Sequence, residues 1–321
     1  MHADPARPLR TPPRLGPGAR VALIAPAGPL RDATELARAG DNARAFGWEP
    51  FIGSHALARR GYLAGSDAER ARDLNAALAD RSIDGVWCLR GGYGTMRILH
   101  ALDVGALARR PKVVIGYSDI TALHLAIAAR CGIISYHGPT ARANLSAFTR
   151  RSLARAVCSN RGEGVAADPC GAAPGARTLR AGRARGVLAG GNLALVAALV
   201  GTPDAARLDG ALLVLEDVNE PVYRIDRMLR QLRLSGSLAG VRGIIFGAFT
   251  ERGADDEPPA ALPLDEVLAE TADALRVPCI AGAPIGHIDD QWTLPLGAEA
   301  ELDADACYLA VLATAPASPA A

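Results

Sequence analysis

The sequence predicts an α/β protein: an N-terminal parallel-sheet domain with helices on both faces, followed by a smaller C-terminal α/β domain of mixed sheet. Three observations carry that expectation. From Arg20 to Arg130, short apolar β-branched runs alternate with amphipathic helical stretches, the pacing of strands joined by crossover helices. Between residues 139 and 185 the pattern weakens into Ala, Gly and Pro, then returns at Gly186, as where one domain hands over to another. Half of the 321 residues are hydrophobic, enough to build two cores.

Taken in order, residues 1–17 are polar and proline-rich and read as a disordered leader, without the apolar stretch of a secretory signal. RVALIAP at Arg20–Pro26 is a first buried strand, Asp32–Phe46 a helix and Trp48–Ile52 a second strand. Asp67–Asp80 is a helix with Leu74 and Leu78 on one face. DGVWCL at Asp84–Leu89 is a third strand, running into the glycine turn RGGYG at Arg90–Gly94 and a short helix over Thr95–His100. The N-terminal domain closes near residue 138, and 139–185 reads as an interdomain linker, with RRSLARAVCSN as a possible helix. The second domain, 186–312, offers a helix over Asn192–Val200, a strand ending in Glu216, a helix from Pro221 to Leu234, and a strand over Val241–Phe249. A helix over Leu264–Leu275, a strand at Cys279–Ala281 and two closing strand-like pieces follow, before a frayed tail at 313–321.

The central stretch is PKVVIGYSDITALHLAIAAR, Pro111–Arg130. Val113–Ile115 is a strand-type run, Gly116 permits a sharp turn, and Ser118 stands on the crest at the positive end of a helix. A nucleophilic serine is commonly presented this way. Ser118 and Asp119 are also favoured helix caps, so the stretch by itself leaves capping open.

A serine hydroxyl needs a base, and the base needs an orienting acceptor. His287, in PIGHIDD beside the flexible Gly286, is the best-displayed histidine. His137 in SYHGP is its competitor, while His124 sits within the helix after Ser118. Glu216 is the best carboxylate, at the end of an apolar strand, where open α/β sheets keep functional groups. Asp217 and Glu220 can take its place, or EDVNEP can serve as an acidic helix cap. Asp226 and Arg230, four apart, read as a surface ion pair. RGGYG exposes backbone N–H groups suited to an anion or an oxyanion, one of them from Gly92, with the Asp119 amide as the second donor.

Composition narrows the alternatives. Thirty-five Lys and Arg against 34 Asp and Glu leave a formal charge of +1, without the basic stripe of a nucleic-acid binder or a polybasic membrane anchor. No apolar run approaches the ~20 residues of a membrane span. Six scattered cysteines, none in a CxxC pair, read as reduced thiols of a cytoplasmic protein, and dispersed histidines argue against a metal site.

RGGYG, GYSDIT at Gly116–Thr121, GGNL at Gly190–Leu193, LEDVNEPVYRIDRMLRQL at Leu215–Leu232 and GHIDDQWTLPLGAEAEL at Gly286–Leu302 resemble, in order and spacing, the serine LD-carboxypeptidases, the muramoyltetrapeptide carboxypeptidases of cell-wall recycling. The resemblance covers about Arg20 to Leu312. It implies a Ser118–His287–Glu216 triad between the two domains, with Ser118 as nucleophile, His287 as base and Glu216 orienting the imidazole. It further implies a cytoplasmic homodimer that removes terminal D-alanine from murein tetrapeptides, a small peptide substrate, with no metal or organic cofactor and no nucleic-acid or membrane partner. GYSDI lacks the second glycine of GxSxG, so an α/β-hydrolase fold is not expected. The scaffold also resembles microcin-immunity peptidases, which cleave a peptidyl–nucleotide toxin and need an aromatic contact for the base, with Trp292 as a candidate. A non-catalytic anion-binding module using RGGYG is the third reading.

Overall fold

A computed structural model of the chain describes residues 9–158, 170–250 and 262–312. Strands β1 (Arg20–Ile24), β2 (Glu49–Ile52), β3 (Gly85–Cys88), β4 (Val113–Gly116) and β5 (Ser135–His137) form a parallel sheet in the order β2-β1-β3-β4-β5. The interior strands are covered on both faces, which is why they read as unbroken apolar runs. One face buries Ala22, Ile24, Val86 and Val114 against Leu74, Leu78, Leu123 and Ile127. These belong to helices α2 (Asp67–Ala79) and α5 (Thr121–Cys131), flanked by short α3 (Thr95–Ile98) and α4 (Val104–Arg109). The other buries Val21, Leu23, Trp87 and Ile115 against Ala39, Ala43, Leu153 and Val157, from α1 (Ala33–Ala45) and α6 (Ala147–Val157). The period-2 alternation of a strand accounts for the split.

The second sheet comprises β6 (Gly171–Ala172), β7 (Arg177–Arg180), β8 (Arg183–Asn192), β9 (Ala211–Val218), β10 (Gly243–Thr250), β11 (Cys279–Ala281), β13 (Glu299–Asp303) and β14 (Tyr308–Val311). Strands β8 to β11 are parallel and the outer four antiparallel, so the sheet is mixed, as expected. By strand count it exceeds the first, eight to six. Helices α7 (Leu193–Ala198), α8 (Val222–Leu234) and α9 (Leu264–Leu275) cover one face. That face shares a continuous apolar core with α5 of the first domain.

Strand β12 (Leu294–Leu296) leaves the second half of the chain and adds antiparallel to β5 at the edge of the first sheet. The domains are therefore stitched together rather than tethered. The 139–185 segment is structural as well, since α6 packs on the first sheet and β6 and β7 pair with β14 and β11. Residues 9–17 are not the loose leader expected. Leu15 is buried and its amide donates to Val157 O (2.8 Å), while Arg10 N donates to Gly132 O (2.9 Å). Residues 1–8 and the tail 313–321 lie outside the described residues.

Candidate active site

Between β1 and β3 the chain order of the first sheet reverses, and ligands of open α/β sheets bind where the carboxyl ends of the strands diverge at such a point. Three loops meet there. The loop after β1 donates from Gly28 N to Gly91 O at 3.0 Å. The RGGYG loop after β3 lies directly on the crest after β4. A Cβ on Gly91 would sit 2.8 Å from Ser118 Cβ and 3.0 Å from Ser118 Oγ. Glycine is thus required by contact. Gly91→Ala is expected to displace the hydroxyl and cost about 100-fold in kcat, with only a small fall in Tm, checked by steady-state kinetics and thermal melting.

Ser118 itself holds φ 65°, the left-handed region that side chains other than Gly, Asn and Asp avoid. Such strain persists where surrounding structure over-determines it. Here the buried strand Val113–Gly116 fixes one side, and a 3₁₀ turn over Ser118–Ile120 leads into α5 on the other. His124 anchors the crest from within α5, its Nε2 on Gly116 O (2.8 Å) and its Nδ1 on Ser135 Oγ (2.9 Å). Asp119 does not cap its own helix. Its buried carboxylate accepts from Thr95 N (2.8 Å), tying the crest to the first turn of α3, and burial pushes its pKa up.

Glu216 lies within β9, fully buried, with Oε2 2.8 Å from His287 Nδ1. A carboxylate can only accept, so Nδ1 carries the proton and Nε2 is left for other chemistry. Gly286, φ 105°, permits the approach, because a Cβ there would lie 2.6 Å from Glu216 Oε2. The other oxygen, Glu216 Oε1, is buried without a protein hydrogen-bond partner. The His287 ring is one-fifth exposed and rests 4.8 Å, centroid to centroid, from the ring of Tyr117. Tyr117 is the chain neighbour of Ser118, so the imidazole is brought beside the crest. No hydrogen bond joins Ser118 Oγ to His287 among the described residues.

The other sequence candidates have different roles. His137 is fully buried, with both ring nitrogens lacking protein partners, and burial pushes its pKa down to about 3. Burial likewise pushes His124 down to about 4. Below the ordinary value near ~6.5 the unfolded chain takes up protons that these two rings refuse. Their contribution to stability is complete above that pH and is lost as pH falls toward 4 and 3. By pH 4 each should cost about 3 kcal/mol, and His137→Phe is expected to flatten the acid limb of a Tm-against-pH profile.

Asp217 accepts from Asn192 Nδ2 (2.9 Å), Ala194 N (2.9 Å) and Val218 N (2.8 Å), and so holds the start of α7. Burial outweighs those donors and pushes it up to about 6. Glu220 faces Arg224 at 3.5 Å. Asp226 and Arg230 pair as expected, at 3.1 Å, with Arg230 also reaching Glu270. Trp292, expected as an exposed aromatic contact, is instead 2% exposed in the core of the second sheet, where no ligand can stack on it. Sequence reasoning gave no role to Tyr117 or to Thr121, whose Oγ1 accepts from Asn192 N at 3.0 Å across the domain boundary. GYSDIT and GGNL contain these residues, but the contacts depend on the fold. No disulfide joins the six cysteines, and no group of three or more His, Cys, Asp or Glu could hold a metal among the described residues.

Residues 21–138 match the LD-carboxypeptidase N-terminal domain and residues 185–302 its C-terminal domain. The chain belongs to the LD-carboxypeptidase family. A Streptomyces coelicolor relative is 45% identical over 98% of this chain and 99% of its own length. The murein tetrapeptide carboxypeptidase of Pseudomonas aeruginosa is 36% identical over 88% and 93%. The crystal structure of muramoyltetrapeptide carboxypeptidase from Oxalobacter formigenes superimposes with a TM-score of 0.77 at 30% identity, covering 91% of this chain and 97% of that one. The microcin C7 self-immunity protein shares the fold, with a TM-score of 0.85 at 22% identity over 97% and 100%. This LD-carboxypeptidase family member is a serine carboxypeptidase of two-domain α/β architecture.

Proposed function

We propose that this enzyme hydrolyses the bond between an L-centre and the terminal D-alanine of murein tetrapeptides through Ser118, His287 and Glu216. The observation that carries the reading is the 2.8 Å Glu216–His287 bond, with the imidazole resting on Tyr117 beside a strained serine against which Gly91 packs. Ser118 Oγ attacks the carbonyl carbon and its proton passes to His287 Nε2. Glu216 stabilises the imidazolium through Nδ1–H. The backbone amides of Gly92 and Asp119 receive the oxyanion. His287 returns the proton to the departing D-alanine amine as the C–N bond breaks, leaving an ester on Ser118. Water, deprotonated by His287, then attacks the ester carbonyl, the bond from Ser118 Oγ to the acyl carbon breaks, His287 returns the proton to Oγ, and the shortened peptide leaves. In this sequence the three side chains supply every proton transfer, so no metal or organic cofactor is called for.

The reading carries with it a cytoplasmic setting on peptides returned from wall turnover, and a homodimer, which light scattering tests. No helix among the described residues is long and apolar enough to cross a membrane. Burial of Trp292 weakens the microcin-type alternative, since it removes the aromatic residue expected to meet a nucleobase. D-alanine release from a tetrapeptide is expected to exceed cleavage of an aminoacyl-nucleotide by at least about 100-fold in kcat/KM, a gap of roughly 3 kcal/mol. The reverse preference would overturn the substrate assignment.

A further inference from the structure

At the opposite end of the first sheet, where β3 and β4 begin, lies a cavity of about 1060 Å³. Arg10, Arg14, Arg81, Arg109, Arg110 and Lys112 line it, and Asp84 is the one acidic residue on its wall. In a chain whose formal charge is +1, that is a local concentration of positive charge. Three of these six cations are held by neutral groups. Lys112, buried, donates to Ala77 O (2.8 Å) and Asp80 O (2.6 Å). Arg14 donates to Arg155 O (2.9 Å) and Cys158 O (3.0 Å), and Arg10 to Ala108 O (2.7 Å).

Carbonyls fix these side chains without cancelling their charge. Two anions do approach: Asp84 reaches Arg110 at 3.4 Å, and Asp103 reaches Arg109 at 3.7 Å with both side chains well exposed. Exposed pairs of that kind neutralise little. Donors are left over. An ammonium has three N–H groups and Lys112 uses two of them. Arg110 Nη1 is buried without an acceptor. Arg81 is exposed and has no side-chain partner among the described residues. Burial, followed by the charge of Arg110, pushes Lys112 down to about 8, with Asp80 and Asp84 opposing the shift.

We propose that this cavity binds a small, multiply charged anion bearing phosphate groups. Arginine forks match phosphate oxygens pairwise, and six cations against Asp84 on the wall and Asp103 beside it call for more negative charge than a single carboxylate ligand brings. The site lies at the amino ends of the strands, away from the Ser118 crest at their carboxyl ends, so its occupant stabilises the first domain without competing with substrate. The inference stands independently of the proposed triad.

The test uses the full chain with inorganic triphosphate at low ionic strength, followed by calorimetry and thermal melting. The expected result is saturable binding and a Tm rise of several degrees, with KM for D-alanine release unchanged. Raising the salt should weaken binding. Arg81→Ser with Arg109→Ser, both exposed positions, should leave the unliganded Tm intact and weaken binding at least about ten-fold. Arg110→Gln provides a second, independent loss. A parallel titration with ATP separates the sources: equal affinity assigns recognition to the phosphates, and tighter ATP binding to a nucleotide. Absence of saturable binding, an undiminished affinity in the variants, or an equal effect of sulfate at matched ionic strength would each overturn the proposal.

Discussion

Ser118→Ala is expected to lower kcat for D-alanine release by about 10⁴-fold or more, while leaving Tm within a degree or two. The side chain is part-exposed at the crest and holds no hydrogen bond to a protein partner among the described residues, so little folding energy goes with it. A second variant separates chemistry from strain. The φ of 65° at this position suits glycine and penalises alanine as much as serine. Ser118→Gly should therefore be as inactive as Ser118→Ala, yet more stable by about 1 kcal/mol. A difference in denaturant midpoint between two dead variants would identify backbone strain held for function. Equal midpoints would mean that the crest costs the fold nothing.

The second large effect is expected at Glu216. Glu216→Gln preserves shape but offers His287 Nδ1 a donor as readily as an acceptor. The ring can then place its proton on Nε2, where it cannot take one from Ser118. A loss of about 10⁴-fold in kcat is expected, with KM little changed. Stability should hold or rise, because a fully buried carboxylate with one oxygen unpartnered is replaced by a neutral amide. A variant within ten-fold of the parent in kcat would remove Glu216 from the catalytic machinery. Transfer of the role to Asp217 is not expected. That carboxylate is occupied by Asn192 and by the amides of Ala194 and Val218.

The contrast between Glu216 and Asp217 shows where sequence reading stops. Both end the same apolar strand, and their types are equally suited to orient a histidine. Successive strand residues point to opposite faces, and which face meets His287 depends on a segment 71 positions away. Elements with strong local signals were legible almost to the residue. Helix α9 follows Pro263 and ends where the predicted periodicity ends, and β11 spans Cys279–Ala281 as expected. The strand–turn–helix around Ser118 was legible for the same reason, since Gly116 and the apolar run before it act locally. Strand β12 was not. Its three residues, Leu-Pro-Leu, look like loop, and only pairing with β5 makes them a strand. Strands β6 and β7 escaped for the same reason, being set in Gly- and Pro-rich sequence and defined by distant partners. Tyr117 gave no signal because its contact with His287 exists only after the domains have joined.

The proposed mechanism rests on Ser118 as the nucleophile, activated by His287 and Glu216. Reaction with a fluorophosphonate, followed by peptide mapping by mass spectrometry, tests it most directly. A single phosphonyl adduct on Ser118 is predicted, forming far more slowly in His287→Ala and Glu216→Gln. An adduct on another residue, or labelling of Ser118 at an unchanged rate in both variants, would contradict the account.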